Sequence, residues 1–312
     1  MEFTFEWLWK NIKEIAFLLL IVFVVRTVIF GLYQVPSGSM ETTMLVGERF
    51  LGDKLTYYFR SPQRGEIVAF NKPTFNYSKN PVVNWLQNYV FINLFGYELG
   101  PDNFTKRVIG IPHDHIKGVL ENEKPVIYLN GKKLDEPYLN KYPLIRIYNT
   151  DPLLAKSGRL RGRDAEAYVS YDPTIAWKDQ PFYRINPLRI VRPMDIRRPG
   201  EPLLDQRYQY ELEMKKAMGQ DEDIKLDESK VKDVFEITLG DNEYWMMGDN
   251  RLGSSDCRDW GIPVNGKLIH GKIIFRIWSC DSNEGWWIVD LIKHPIDFWT
   301  RMRWSRFFQI MH

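Results

Sequence analysis

Cysteine is scarce: Cys257 and Cys280 are the only two in 312 residues. That excludes a disulfide framework and leaves the redox compartment open. The five histidines are dispersed, with His113 and His115 flanking Asp114 and His270, His294 and His312 standing apart. Neither HExxH nor another zinc spacing occurs, so no metal and no cofactor are expected. Net charge is also nearly missing. Lys+Arg 42 against Asp+Glu 40 leaves +2, and no polybasic run is present to neutralise phosphates, which argues against nucleic acid as a partner. Internal repeats and low-complexity tracts are absent too. With 44% hydrophobic residues, the chain has ample material for one large or two small cores.

Aromatic residues, by contrast, are plentiful at 14%, and tryptophan gathers towards both ends of the chain, a distribution suited to membrane interfaces. The one long apolar run is IAFLLLIVFVVRTVIFGLY, from Ile15 to Tyr33. As a helix it would extend ~28 Å and could span a bilayer. Arg26 interrupts it, costing ~2–3 kcal/mol at the bilayer centre and less if it snorkels to the headgroups. A cleavable signal peptide is the rival reading, with Lys10 and Lys13 before the run and Ser37 and Ser39 after it; Arg26 and the acidic Glu2, Glu6 and Glu14 weigh against that. Lys10 and Lys13 on one flank face Arg49 and Lys54 on the other, so charge leaves the orientation open.

Beyond the run, ERFLGDKLTYYF and GEIVAF carry strand-like residues around the turn-rich SPQRG. VVNWLQNYVFINLFGY, residues 82–97, is apolar and aromatic; it is either a core segment, the usual fate of such runs, or a loop that dips into lipid. FTKRVIGIP reads as a strand, and Asn130-Gly131 between apolar flanks signals a hairpin. From about 141 to 232 the composition turns charged and Tyr-rich, with a helix expected over EPLLDQRYQYELEMKKAM and ending at Gly219. Strands resume at VFEITL, EYWMM and GKIIFRIW. The final stretch mixes Trp and Phe with Lys and Arg, which suits a membrane-surface segment as much as a docked helix. The fold is therefore expected to be mainly β.

For chemistry, Ser39 in VPSGSM is by itself an ordinary turn hydroxyl. No local signature supports a His-containing triad around it. A lysine can act as base if stripped of water: at pH 7 only ~4 in 10,000 free lysines are neutral, a cost of ~4.6 kcal/mol that burial against apolar walls removes. Lys106 is the candidate. In a strand over FTKRVIGIP it shares a face with Phe104 and Val108, while Arg107 points the other way.

PSGSM after the apolar run, RGEIVAF, KRVIGIP and MMGDNRLGSSDCRDWG, in that order, resemble the motifs of bacterial type I signal peptidases. The likeness covers the run, 34–70, 104–140 and 235–279; the 141–232 region matches none of the motifs, and the ending RWSRFFQIMH is similar to the basic, aromatic tail of some members. The resemblance implies a Ser-Lys dyad, with Ser39 the nucleophile and Lys106 the general base, acting through an acyl-enzyme. Ser37 would join the Ser39 N–H in the oxyanion hole, and Gly38 would permit the tight turn between them. Gly248 would leave space beside Lys106, and Ser254 would orient its amine by a hydrogen bond. Asp249 would be a support, and Asp256 and Arg258 an ion pair joined by Arg107. Met40, Phe104 and Met247 are candidate walls of a shallow pocket for small side chains. Read without the resemblance, GDN is a good β-turn and DCR a surface charge pair. Departures are Gly253 where some members have Asn, Cys257 where Ser is frequent, His113 where Gly is common, and one span where some have two.

The expected architecture is a β-sheet catalytic domain of the signal peptidase type with an inserted α+β subdomain and one N-terminal transmembrane helix. The expected divisions are a flank (1–14), the transmembrane helix (15–33), the catalytic domain in two parts (34–140 and 233–279), the insertion (141–232) and a membrane-surface tail (280–312). The implied partners are secretory preproteins and the lipid bilayer. The implied location is the bacterial cytoplasmic membrane, single-pass, with the catalytic domain on its outer face. Two other classes fit parts of the pattern: an inactive membrane-anchored relative acting as a scaffold, and a soluble Ser-Lys autoprotease of the repressor type, which would lack the span and GDN.

Overall fold

The structure, a computed structural model, describes residues 5–89, 100–148, 166–176, 179–180, 182, 196–219, 226–282 and 287–311. In chain order the strands are β1 Phe30–Gln34, β2 Glu48–Asp53, β3 Ile67–Asn71, β4 Asn103–Gly110, β5 His115–Glu121, β6 Lys124–Leu129, β7 Lys132–Lys133, β8 Leu144–Tyr148, β9 Glu166–Ser170, β10 Ile196–Arg197, β11 Phe235–Thr238, β12 Glu243–Met247, β13 Val264–Asn265, β14 Ile269–Ser279 and β15 Gln309–Ile310. The main sheet runs β1-β2-β14-β3-β4-β12-β13, with β15 paired to β14. β2 alternates buried and half-buried residues, the mark of one face on a core, whereas every residue of β3 is buried. β4 lies inside this antiparallel sheet, with Val68 opposite Lys106 on one side and Met247 opposite Arg107 on the other.

Two apolar clusters pack against the main sheet. One joins Phe70, Val108, Tyr244 and Met246 of the main sheet to Ile116 and Ile127 of a second sheet, β11-β5-β6-β7. The other contains Met40, Met44, Phe50, Ala69 and Ile273. Between β6 and β7, Asn130 and Gly131 adopt φ of 50° and 78°, the left-handed pair that a two-residue hairpin turn requires. Within 141–232 the described residues form a small sheet, β10-β8-β9, and a helix, Gln206–Ala217, followed by Gly219 at φ 74°.

Several expectations change. Residues 15–33 are not one helix: the α-helix covers Phe5–Val24, a π-helical turn follows over Val25–Ile29, and Phe30–Tyr33 belong to β1, paired with β2. The β-branched and aromatic end of the run serves a strand as readily as a helix. Among the described residues no helix is long and apolar enough to cross a membrane. The first half of that helix carries Glu6, Lys10, Lys13 and Glu14, which leaves only Ile15–Val24 uncharged. KLTYYF is not a strand either; Asp53 accepts hydrogen bonds from the N–H groups of Leu55 and Thr56 at 2.7 and 3.1 Å and turns the chain into a short helix, Thr56–Phe59. Of 82–97, the described part belongs to the helix Pro81–Tyr89, and Val82 and Trp85 are exposed rather than core; residues 90–97 lie outside the described residues.

The tail is docked. Phe298 and Met302 are buried, and β15 extends the sheet. Arg306 Nε lies 2.6 Å from Glu48 Oε1, and Arg306 Nη2 donates to the carbonyls of Thr42 and Thr43 at 3.3 and 3.1 Å. Arg276 approaches the other oxygen of the fully buried Glu48 at 3.1 Å and donates to Thr43 O at 2.6 Å. Cys257 and Cys280 are both free and buried. Replacing Arg306 with Ala leaves Glu48 short of a donor inside the protein and is expected to remove ~2 kcal/mol of stability. Denaturant unfolding in detergent measures this; an unchanged midpoint would mean that the tail is not braced there.

Candidate active site

Ser39 sits in a 3-10 turn, Gly38–Met40, that begins directly after extended Ser37, and is buried. Lys106 reaches it from β4, with Nζ 2.6 Å from Ser39 Oγ. The lysine is only 2% exposed. Desolvation pushes its ammonium down from the ordinary lysine range to about 8; Asp256 and Asp249 oppose that shift and Arg258 adds to it. The Phe104 ring, centred 5.7 Å from Nζ, is one of its walls.

The turn that carries Ser39 is held by the segment after β12. A Cβ on Gly248 would lie 2.3 Å from Ser254 Oγ and 2.4 Å from the Ser39 carbonyl oxygen, so only glycine lets these backbones meet. The room that Gly248 leaves is therefore filled by Ser39 and Ser254, not held open beside Lys106. Asn250 N donates to Ser39 O at 3.2 Å and Asn250 Nδ2 to Gly38 O at 2.8 Å. Ser254 Oγ is buried and makes no hydrogen bond, which corrects the expectation that it holds the Lys106 amine. Gly38 owes its place to crowding: a Cβ there would lie 2.7 Å from Glu41 Oε1.

Two buried ion pairs flank the Ser39–Lys106 contact, and they are separate. Arg107 makes a bidentate contact with Asp249 at 2.8 and 2.7 Å, stacks over Tyr138 at 4.2 Å and donates to Gly65 O at 2.7 Å, while Thr43 Oγ1 donates to Asp249 at 2.6 Å. Arg107 thus joins Asp249, not the Asp256–Arg258 pair as expected. Asp256 binds Arg258 at 2.9 and 2.8 Å and accepts from Gly248 N at 3.0 Å; Arg258 also reaches Asp233 at 2.6 Å. Burial alone would raise the Asp256 pKa, but Arg258, the Gly248 N–H and Lys106 together outweigh it and take the carboxyl down to about 2.

Ser37 is exposed, and its side chain makes no capping hydrogen bond to the turn. Met40 and Met247, expected as pocket walls, are 2% and 0% exposed and belong to the two cores; Phe104 is partly buried, edge-on to Trp260 at 5.2 Å. His113 has φ 71°, which accounts for the ease of glycine at such a position. Three contributors went unassigned in the sequence. Asn250 lies inside the GDN motif, Thr43 is an unremarked hydroxyl, and Glu41 stands out only as an acidic residue in METTMLV.

Comparison with known proteins follows the same lines. Residues 8–278 match the family described as signal peptidase, peptidase S26. A signal peptidase I from Aquifex aeolicus is 26% identical over 270 residues, covering 86% of this chain and 84% of that protein. One from Buchnera aphidicola subsp. Baizongia pistaciae is 25% identical over 289 residues, covering 86% and 76%. A probable signal peptidase I-2 from Synechocystis is 34% identical over 119 residues, 38% of this chain; the match spans 44% of that relative's length.

The buried amine makes a stability prediction. Folded, Lys106 releases its proton near 8, whereas the unfolded chain keeps it to ~10.4. Its contribution to stability is therefore full above the unfolded value and is lost as pH falls through 8. Lys106→Met removes that liability and is expected to be more stable than wild type at pH 7 by ~1–3 kcal/mol. Paired thermal melts at pH 7 and pH 10 test this, and the gain should shrink at the higher pH.

Proposed function

The chain belongs to the signal peptidase family, peptidase S26, and on that premise we propose that it is a membrane-anchored serine endopeptidase that removes signal peptides from secretory preproteins with a Ser39–Lys106 dyad. The observation that carries this reading is the 2.6 Å contact between a buried lysine amine and a serine hydroxyl. Neutral Lys106 takes the proton from Ser39 as Oγ attacks the scissile carbonyl. The protonated amine gives that proton to the departing peptide nitrogen as the C–N bond breaks; neutral again, it deprotonates the water that attacks the acyl-enzyme and returns the proton to Ser39 Oγ as the ester bond breaks. The Ser39 N–H, with the Ser37 hydroxyl, stabilises the oxyanion. Phe104, beside Lys106, walls a pocket that takes the small residues before the cleavage point.

The anchor is the first helix. Phe17, Leu18, Leu19 and Leu20 are 57–65% exposed, a surface that water disfavours and lipid accepts. Leu32, Phe59, Trp299 and Phe308 are also exposed, as befits a domain resting on a bilayer. A signal peptide whose apolar part stays in lipid would present its cleavage point near Ser39, five residues beyond β1. Membership of the family, rather than the exposed surface, is the ground for placing it at the bacterial cytoplasmic membrane with the catalytic domain on the outer face.

Ser39→Ala and Lys106→Ala are each expected to cut preprotein processing by ~1,000-fold or more while the protein stays folded; normal processing by either would end the dyad assignment. For the wild type, kcat should rise with pH and reach half its maximum near pH 8, where Lys106 gives up its proton. Asp256→Asn removes a charge that favours the ammonium, so the surviving activity should show a midpoint lower by about one pH unit. An upward shift would reverse the sign of the electrostatics.

A further inference from the structure

Glu41 stands two residues after Ser39 and is 0% exposed. A buried carboxylate is costly unless donors satisfy it. Ser170 supplies two: its N–H at 3.1 Å and its hydroxyl at 2.6 Å. Ser170 ends β9 in the small sheet of the 141–232 region, the part of the chain that carries no motif of the catalytic pattern, and it is 2% exposed.

The carboxylate lies against Gly38, filling the volume that a Cβ there would need. From Ser170 the contacts return to the same turn by another route. Asn140 Nδ2 donates to Ser170 Oγ at 3.0 Å and to Asn250 Oδ1 at 3.4 Å. Asn250 then donates to the carbonyls of Gly38 and Ser39. Gly38, Asn250, Asn140, Ser170 and Glu41 thus form a ring around the turn whose Oγ and N–H must be aimed.

We infer that Glu41 and Ser170 are positioning residues for Ser39, and that the small sheet carrying β9 governs the turnover rate by fixing the backbone of the nucleophile turn. This rests on Ser39 being the nucleophile. Among the described residues the hydrogen bonds of this ring involve neither Lys106 nor Phe104, so it should act on the chemical step and not on proton affinity or peptide binding. A misplaced nucleophile loses rate even when substrate binds normally.

The test is steady-state cleavage of a preprotein by the full chain in detergent micelles, with rates expressed per folded molecule. Ser170→Ala is expected to lower kcat about tenfold, the effect of one lost hydrogen bond to a buried charge, with KM and the pH midpoint unchanged. Ser170→Thr should restore most of the loss, because it returns the hydroxyl. Glu41→Gln should also lower kcat, and in the double variant with Ser170→Ala the losses should fall short of multiplying. Wild-type kcat in Ser170→Ala, failure of Ser170→Thr to recover it, a shifted pH midpoint, or fully multiplicative losses would each overturn the proposal. Should Ser170→Ala fail to fold, the kcat of Glu41→Gln decides alone. Ser39→Ala separates the two levels: if it still cleaves, the nucleophile assignment is wrong, whereas an inactive Ser39→Ala beside a fully active Ser170→Ala defeats only the positioning role.

Discussion

The site turns on one desolvated amine. Lys106 is 2% exposed, with the Phe104 ring beside it, and that burial brings an ordinarily protonated group to about 8 while leaving it 2.6 Å from a hydroxyl. Desolvation works here only because the amine enters from the interior of a sheet, where both neighbouring strands are fixed by backbone pairing. At a sheet edge the same lysine would swing into solvent and recover its charge.

A greasy pocket alone would not hold the partner hydroxyl in place. The charged residues nearby do this at one remove: Asp249 ties Arg107 of β4 to Thr43 of the loop after Ser39, and Asp256 ties the Gly248 backbone to Arg258. Buried ion pairs of this kind add little net stability but penalise every alternative arrangement, since breaking one strands a charge. Their opposed effects on Lys106, with the carboxylates favouring its proton and Arg258 disfavouring it, leave burial as the deciding influence.

Much of this was legible in the sequence where the cause is local. Period two placed Lys106 beside Phe104 and away from Arg107, Asn130-Gly131 marked its hairpin, and Gly219 marked the end of its helix. Order of motifs brought Ser39 and Lys106 together across 67 positions. What escaped depends on contacts that no spacing encodes. Glu41 meets Ser170 at a separation of 129 residues and Glu48 meets Arg306 at 258. Gly248 and Gly38 announce a tight place without saying what fills it. The run from Ile15 is ambiguous for a different reason, because Val, Ile and Phe suit a strand as well as a helix, and pairing with β2 decided the matter only from Phe30 onward.

The docked tail has a bearing on timing. Carbonyls of the loop just after Ser39 are held by arginines at positions 276 and 306, and a strand at 309–310 completes the sheet beside them. Translation delivers the hydroxyl early and the last contacts to its loop about 270 residues later. The emerging polypeptide therefore makes these contacts to the loop after Ser39 only once the residues up to 310 have been synthesised.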